Sequence, residues 1–161
     1  MYRKISAVLV VAAVGGIAAL LTTGAAAGSS AKPERIAIVL GGNASTFQLT
    51  PIGSGPVHSD SGTVTACCWT NRDVTRDGQS ASLADPKLTF EGGHGTFTWR
   101  AHLTFVDINN DYTVATGVWK ITHGTGQYAH LKGHGRQAFA QKTQDGQDVA
   151  DKAEGVVTTS G

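Results

Sequence analysis

Cys67 and Cys68 are the only cysteines in the chain, and they are neighbours. Side chains of consecutive strand residues point to opposite faces, which predicts one thiol in the core and one outside. A bond between them requires distorted backbone, because disulfide geometry separates the two Cα atoms by more than one ordinary peptide allows. Three interpretations stay open: two separate thiols, a strained vicinal disulfide that acts as a rigid or redox element, or an intermolecular bridge through the outward thiol.

The six histidines raise the question of a metal site. His123, His130 and His134 occur in one glycine-rich hairpin, and His94 and His102 flank the strand before it. Three imidazoles brought together by the fold could hold zinc or copper. Their spacing matches no established ligand pattern, however, so we predict scattered surface histidines, no metal site and no cofactor.

Arg100 and His102 share the polar face of a strongly alternating segment. If this face lined a cavity, Arg100 and His102 would be polar anchors for a ligand, and Glu91 or Arg136 could be their partners. A histidine beside a carboxylate could also transfer protons. If the face is solvated instead, the opposite, aromatic face fills the interior; the sequence favours this second arrangement. The sequence has no recognisable nucleophile-elbow motif that would supply a nucleophile to act with these residues.

The segment from Gly95 to Val106 carries the clearest structural signal. Phe97, Trp99, Ala101, Leu103 and Phe105 alternate there with Thr98, Arg100, His102 and Thr104. This period of two predicts a half-buried strand rather than a helix. The turn-forming segment 107–111 follows, so that 112–122 returns as the second strand of a long hairpin.

Other segments rich in β-branched residues predict further short strands, which include 35–40, 46–50, 61–69, 87–91, 131–142 and 149–158. The total of eight or nine strands at short intervals indicates an all-β, antiparallel barrel or sandwich. The carboxylates at Asp145, Asp148 and Asp151 are interpreted as a solvated loop face. The three tryptophans, Trp69, Trp99 and Trp119, suit either a pocket or, more commonly, core filling.

The first 27 residues have the pattern of a cleavable signal peptide. Arg3 and Lys4 precede an apolar stretch, and Ala25–Ala27 supplies the small residues that signal peptidase accepts. We therefore predict a secreted protein with a mobile leader at 28–34, one domain at 35–161 and no stable membrane insertion. The segment holds two of the 13 basic and none of the 12 acidic residues, so the mature chain is nearly neutral. Its net charge gives no argument for binding nucleic acid or an anionic membrane.

The stretch from Gly117 to Gly135 reads GVWKITHGTGQYAHLKGHG. With the earlier SDSGTV at 59–64, it resembles the small secreted β-barrel proteins related to allene oxide cyclases and plant dirigent proteins. The resemblance implies a closed barrel of eight antiparallel strands with a cavity that opens at one end. It transfers no catalytic residue to a position of this chain.

The glycines of this stretch also have a direct physical interpretation. Gly124 and Gly126 would adopt positive φ on either side of Thr125, and Gly133 and Gly135 follow as further structural positions. Tyr128 would then fold over the barrel end with its ring buried and its hydroxyl reaching the backbone.

The leading functional hypothesis is a non-enzymatic barrel that binds a small apolar molecule. The expected lining consists of Trp99, Trp119, Phe97, Phe105 and Tyr128, with Arg100 and His102 as candidate polar contacts. One alternative, by resemblance, is an isomerase or cyclase that acts by holding a reactive substrate in one shape. Another is a structural or cell-surface interaction protein, cross-linked or homo-oligomeric through an outward cysteine.

Overall fold

The computed structural model describes residues 32–76, 78–108 and 111–160. The predicted signal peptide and the leader residues 28–31 lie outside these ranges. The described residues include no helix that is long and apolar enough to span a membrane. The only helical element described is one short 3₁₀ turn, η1, at Gly126–Tyr128.

Ten β-strands make up the described fold. They are β1 (Glu34–Gly41), β2 (Thr46–Ile52), β3 (Asp60–Cys67), β4 (Asn71–Arg76), β5 (Gln79–Ala84), β6 (Lys87–Gly92), β7 (Gly95–Ile108), β8 (Tyr112–Gly124), β9 (Leu131–Lys142) and β10 (Asp148–Thr159). The first strand begins one residue earlier than predicted, because Glu34 already pairs with Val157 of β10. The buried Glu34 carboxylate also accepts backbone hydrogen bonds from Gly55 and Val57 at 2.9 and 3.0 Å.

Eight of these strands form a closed antiparallel barrel. Around the ring the order is β7, β6, β3, β2, β1, β10, β9 and β8, and the β8–β7 pairing closes it. Closure leaves no open sheet edge in the ring, and it confirms the predicted barrel over the sandwich. The remaining two strands form a hairpin, β4–β5, that pairs with the second half of β7 at residues 103–105.

The aromatic face of β7 points into the barrel, and the polar face points out. Phe97 and Trp99 are completely buried, and Arg100 and His102 are exposed. The Trp99 indole stacks on that of Trp119 at a centroid distance of 4.8 Å, and Phe90 stacks on Phe97 at 4.5 Å. These rings occupy the centre of the barrel, as the favoured reading of the alternation predicted.

Two glycines make room for the central tryptophan. A Cβ at Gly135 or Gly155 would lie 2.5 or 2.4 Å from the Trp119 ring, much closer than atoms can pack. The Trp119 Nε1–H donates to the Arg136 carbonyl oxygen at 3.1 Å, so its polar atom is satisfied within the wall. Small residues on β9 and β10 therefore fix where the largest side chain lies.

The two ends of the barrel differ. At one end, which we call the closed end, η1 lies against the β6–β7 turn, and Tyr128 is buried against Phe97 at 5.1 Å. At the other end, which we call the mouth, the β1–β2 and β9–β10 turns surround a cavity. The asymmetry leaves the mouth as the place where a ligand can enter the barrel.

We expect Gly135→Ala to lower the free energy of unfolding by about 3 kcal/mol, because the new methyl group overlaps both Trp119 and the Glu154 backbone. Gly93→Ala is the matched control, since its Cβ would meet nothing closer than 3.6 Å, and it should change stability by less than about 0.5 kcal/mol. Urea unfolding measures both values. Equal stability of the two variants would contradict the packing of Trp119 described above.

Candidate functional site

A cavity of about 300 Å³ opens at the mouth of the barrel. Its walls come from five strands and four of the connections between strands, and most of the side chains that line it are apolar. These are Ala44, Ala66, Trp69, Pro86, Leu88, Leu103, Phe105 and Phe139. A concave, mostly apolar lining with a few polar groups is typical of sites that bind small molecules.

Three aromatic side chains form one side of this cavity. Phe105 contacts Trp69 at 6.4 Å and Phe139 at 6.1 Å between ring centroids. Trp69 is 50 % exposed, an unusual state for the largest apolar side chain. It lies beyond the end of β3, where half of its surface stays accessible for contact with a ligand.

The same tryptophan also borders a second hollow of about 490 Å³, which lies along hairpin β4–β5. That hollow is lined mainly by polar side chains, which include Asn71, Asp73, Thr75, Ser80 and Ser82. The mouth cavity is therefore the better candidate for an apolar ligand. The second hollow would offer such a ligand only polar contacts beside the cavity.

Two buried polar side chains, Gln137 and Asp151, also line the mouth cavity. They are 5 % and 3 % exposed, and the Gln137 Nε2–H donates to Asp151 Oδ1 at 2.8 Å. The Gln137 Oε1 atom is buried with no hydrogen-bond partner among the described residues. A buried amide oxygen without a donor is unfavourable, so this atom is poised to accept a hydrogen bond from a bound molecule.

The interpretation of Asp151 as part of a solvated loop face is wrong. Strand β10 begins at Asp148, and alternation along it turns Asp151 inward with Ala153. Asp145 is exposed in the turn, as predicted, and the side chain of Asp148 lies outside the description. Sequence reasoning also missed Gln137. Its phase with Leu131, Gly133 and Gly135 on β9 was the signal that could have revealed it.

Of the expected lining residues, only Phe105 borders the cavity. Trp99, Trp119 and Phe97 fill the barrel centre, and Tyr128 covers the closed end. The tryptophan that the structure places at the cavity is Trp69.

Arg100 and His102 lie on the outer wall and do not line the barrel interior. The His102 Nδ1 atom forms a hydrogen bond with Asp85 Oδ1, a partner other than the candidates Glu91 and Arg136. Both side chains of this pair are largely solvent-exposed, so the contact contributes little to stability.

Both cysteines are free thiols near the mouth. Cys67 is half-buried and Cys68 is exposed, so neither lies in the core as predicted. Strand β3 ends at Cys67, earlier than predicted, and Cys68 turns into the left-handed region at φ 62°. A hydrogen bond to Cys68 and then desolvation raise the pKa of the Cys67 thiol, while Lys87 and Arg100 act in the opposite direction. The three interpretations of this pair, as separate thiols, a vicinal disulfide or an intermolecular bridge, stay predictions.

The histidines remain apart in the structure. His123, His130 and His134 are exposed, and the His58 and His94 rings lie 6.1 Å apart. Within residues 32–76, 78–108 and 111–160, no group of three or more His, Cys, Asp or Glu side chains is placed to hold a metal ion.

The GTGQY segment closes the other end of the barrel. Gly126 has positive φ, as predicted, but Gly124 is required for a different reason, since a Cβ there would lie 1.9 Å from the Tyr128 carbonyl oxygen. Thr125 is tied to β7 through backbone and hydroxyl hydrogen bonds with Thr96. Gly133 and Gly135 are structural too, because each would place a Cβ against neighbouring backbone and side chains.

The Tyr128 hydroxyl donates to the Asp60 carboxylate at 2.8 Å, and not to the backbone as predicted. Burial raises the pKa of Asp60, but hydrogen bonds from Tyr128 and from the backbone of Ser61, His94 and Gly93 outweigh it and hold the pKa below its usual value. Burial, followed by the bond to Asp60, raises the pKa of Tyr128.

We expect Tyr128→Phe to lower the free energy of unfolding by about 1.5 kcal/mol at pH 7, through loss of a hydrogen bond to a charged group. Because the folded-state pKa of Asp60 is lowered, its contribution is present above the unfolded pKa near 4 and is lost as the pH falls through the folded value. The difference between wild type and variant should therefore shrink below about pH 4.

Urea unfolding at pH 7 and pH 3 measures this difference. Tyr112→Phe is the control, since Tyr112 is 43 % exposed and should show a small effect at both pH values. A Tyr128→Phe deficit that is the same at both pH values would contradict the role assigned to the Asp60 contact.

No protein-family profile, curated protein sequence or solved structure matches this chain. The resemblance carried by the Gly124–Tyr128 segment stays a prediction. The site is therefore defined by its own geometry: an apolar mouth cavity bordered by a buried amide oxygen that accepts no hydrogen bond from the part of the chain that the structure describes.

Proposed function

We propose that this barrel binds a small, mostly apolar molecule in the mouth cavity. The observation that carries the proposal is the combination of an apolar lining with the buried Gln137 Oε1, which has no hydrogen-bond partner among the described residues. The exposed face of Trp69 supplies a contact surface at the entrance. In this proposal the protein acts outside the cell, on the basis of the signal-peptide pattern in residues 1–27.

The polar pair defines which apolar molecules should bind best. The Gln137 amide directs its N–H toward Asp151 Oδ1, and a carboxylate can only accept at that atom. This leaves the amide oxygen as the acceptor available to a ligand. We therefore propose an apolar ligand with one hydrogen-bond donor, such as a hydroxyl group.

The packed interior limits the size of the ligand. Trp99 and Trp119 occupy the barrel centre, and both are at most 2 % exposed. A ligand that fits in about 300 Å³ would be held between this packed centre and the Trp69 indole. Binding through shape and one hydrogen-bond donor of the ligand requires no catalytic group. The isomerase alternative stays a prediction that rests on resemblance alone.

We expect Ala66→Phe to abolish or weaken at least tenfold the binding of a neutral fluorescent probe, N-phenyl-1-naphthylamine. Ala66 is exposed and lines the mouth cavity, so a phenyl ring there occupies the ligand volume without disturbing the packed centre. Ala138→Phe is the matched control, because Ala138 is an exposed strand alanine on the outer wall. Probe titration followed by fluorescence measures both affinities.

Displacement of the probe then tests the ligand class. 2-Naphthol should displace it about fivefold more effectively than 2-methylnaphthalene, since one hydrogen bond contributes about 1 kcal/mol. Equal affinity of Ala66→Phe and Ala138→Phe for the probe, or failure of wild type to bind it, would overturn the proposed site. Equal displacement by the two competitors would contradict the proposed hydrogen bond to Gln137 but not the proposed binding in the mouth cavity.

A further inference from the structure

The outer wall carries a row of basic residues that sequence inspection does not reveal. Lys87 is directly opposite Arg100, Arg100 is opposite Lys120, and Lys120 is opposite His134. These positions lie on four neighbouring strands, β6 to β9, so they form a line across the barrel at intervals of about 4.8 Å. Arg100, Lys120 and His134 are exposed, and Lys87 is half-buried.

Strand β9 extends this row into a wider surface. Its outward positions Lys132, His134 and Arg136 are all basic and exposed. We call the six residues Lys87, Arg100, Lys120, Lys132, His134 and Arg136 the basic face. It holds five of the 13 Lys and Arg residues of a chain whose formal net charge is only +1, so the charge is strongly segregated.

No residue of the row forms an ion pair with an acid among the described residues. The ion pairs formed by the described residues are Arg35 with Glu154 and His102 with Asp85, and neither involves the row. Glu154 lies opposite Arg136 at the edge of the face. Like charges directly opposite each other destabilise a sheet, so a bound anion would relieve the repulsion in the two consecutive pairs Lys87–Arg100 and Arg100–Lys120.

We propose that the basic face binds a linear acidic polysaccharide through its carboxylate or sulfate groups. Such a chain presents regularly repeated anionic groups, and guanidinium groups recognise carboxylates and related oxyanions in a paired geometry. The exposed threonines Thr104 and Thr116 on β7 and β8 provide hydroxyl groups for the sugar hydroxyls. The Thr122 hydroxyl donates to the Thr98 carbonyl oxygen at 3.2 Å and offers its oxygen as an acceptor.

The composition of the surface favours a polysaccharide over other polyanions. Outer positions beside the row carry threonine and valine, such as Thr122 and Val118, and not the Phe, Tyr or Trp on which nucleic-acid bases stack. A membrane-binding surface would carry apolar or aromatic anchors beside the cations, and Val118 is the one exposed large apolar side chain next to Lys120. The proposal does not depend on the mouth cavity being occupied.

The test uses fluorescein-labelled hexagalacturonate, with binding followed by fluorescence anisotropy at low salt. We expect the triple variant Lys87→Gln, Arg100→Gln, Lys120→Gln to bind at least tenfold more weakly than wild type. The matched control, Lys32→Gln, Arg72→Gln, Lys142→Gln, removes the same charge from exposed positions outside the face and should stay within threefold. Affinity should fall as sodium chloride is added.

Circular dichroism checks that both triple variants are folded. If the row variant does not fold, the single variant Lys120→Glu, at an exposed position, replaces it. Three results would overturn the proposal: equal loss of binding in the row and control variants, no binding of the hexamer by wild type, or tighter binding of a thymidine oligonucleotide or phosphatidylglycerol vesicles than of the hexamer. A methyl-esterified hexamer, which is uncharged, should not compete.

Discussion

The packing of two tryptophans in the centre of a closed barrel is the constraint on which the rest of this structure depends. The Trp99 and Trp119 rings stack at 4.8 Å, and Gly135 and Gly155 give Trp119 the space it needs. Because the centre is filled, the barrel is not a tube. Within the barrel, room for a ligand is left at the mouth, where smaller side chains and the two polar residues Gln137 and Asp151 border a hollow.

The two ends of the barrel use polar groups in different ways. At the closed end, the Asp60 carboxylate accepts hydrogen bonds from Tyr128 and from nearby backbone N–H groups, so that buried polar atoms are satisfied. At the mouth, the Gln137 amide oxygen has no partner among the described residues. Buried polar groups are usually paired, and two side-chain atoms of the described residues are not: Gln137 Oε1 and the Trp99 Nε1 atom in the packed centre. Of these two residues, Gln137 borders the mouth cavity, and this marks the mouth as the end at which function is expected.

The sequence predicted the fold well because alternation is a local signal. The β7 pattern of aromatic and polar residues gave both the strand and the inward aromatic face, and GTGQY marked a closing turn. It did not predict which side chains surround the cavity, because that depends on strand register and on where each strand ends. Asp151 was assigned to a loop. Trp69 was not distinguished from Trp99 and Trp119, since only the closed ring places Trp69 at the mouth and the other two in the packed centre.

The basic face is a second feature that depends on strand register and so could not be predicted from the sequence. Lys87, Arg100, Lys120 and His134 are far apart along the chain, and only pairing of β6 to β9 places them in one row. A nearly neutral net charge conceals this arrangement, because carboxylates elsewhere on the surface balance it. Net charge therefore describes the whole molecule but not the surface that a partner would meet.

The central claim is that ligand binds at the mouth and not in the barrel centre, and the three tryptophans allow a direct measurement. In a ¹H–¹⁵N correlation spectrum, Trp69, Trp99 and Trp119 each give one indole N–H signal that can be followed while 2-naphthol is added. We expect a large shift for Trp69, which borders the cavity, and much smaller shifts for Trp99 and Trp119, which are packed behind it. An unchanged Trp69 signal, or equal shifts at all three indoles, would contradict the account.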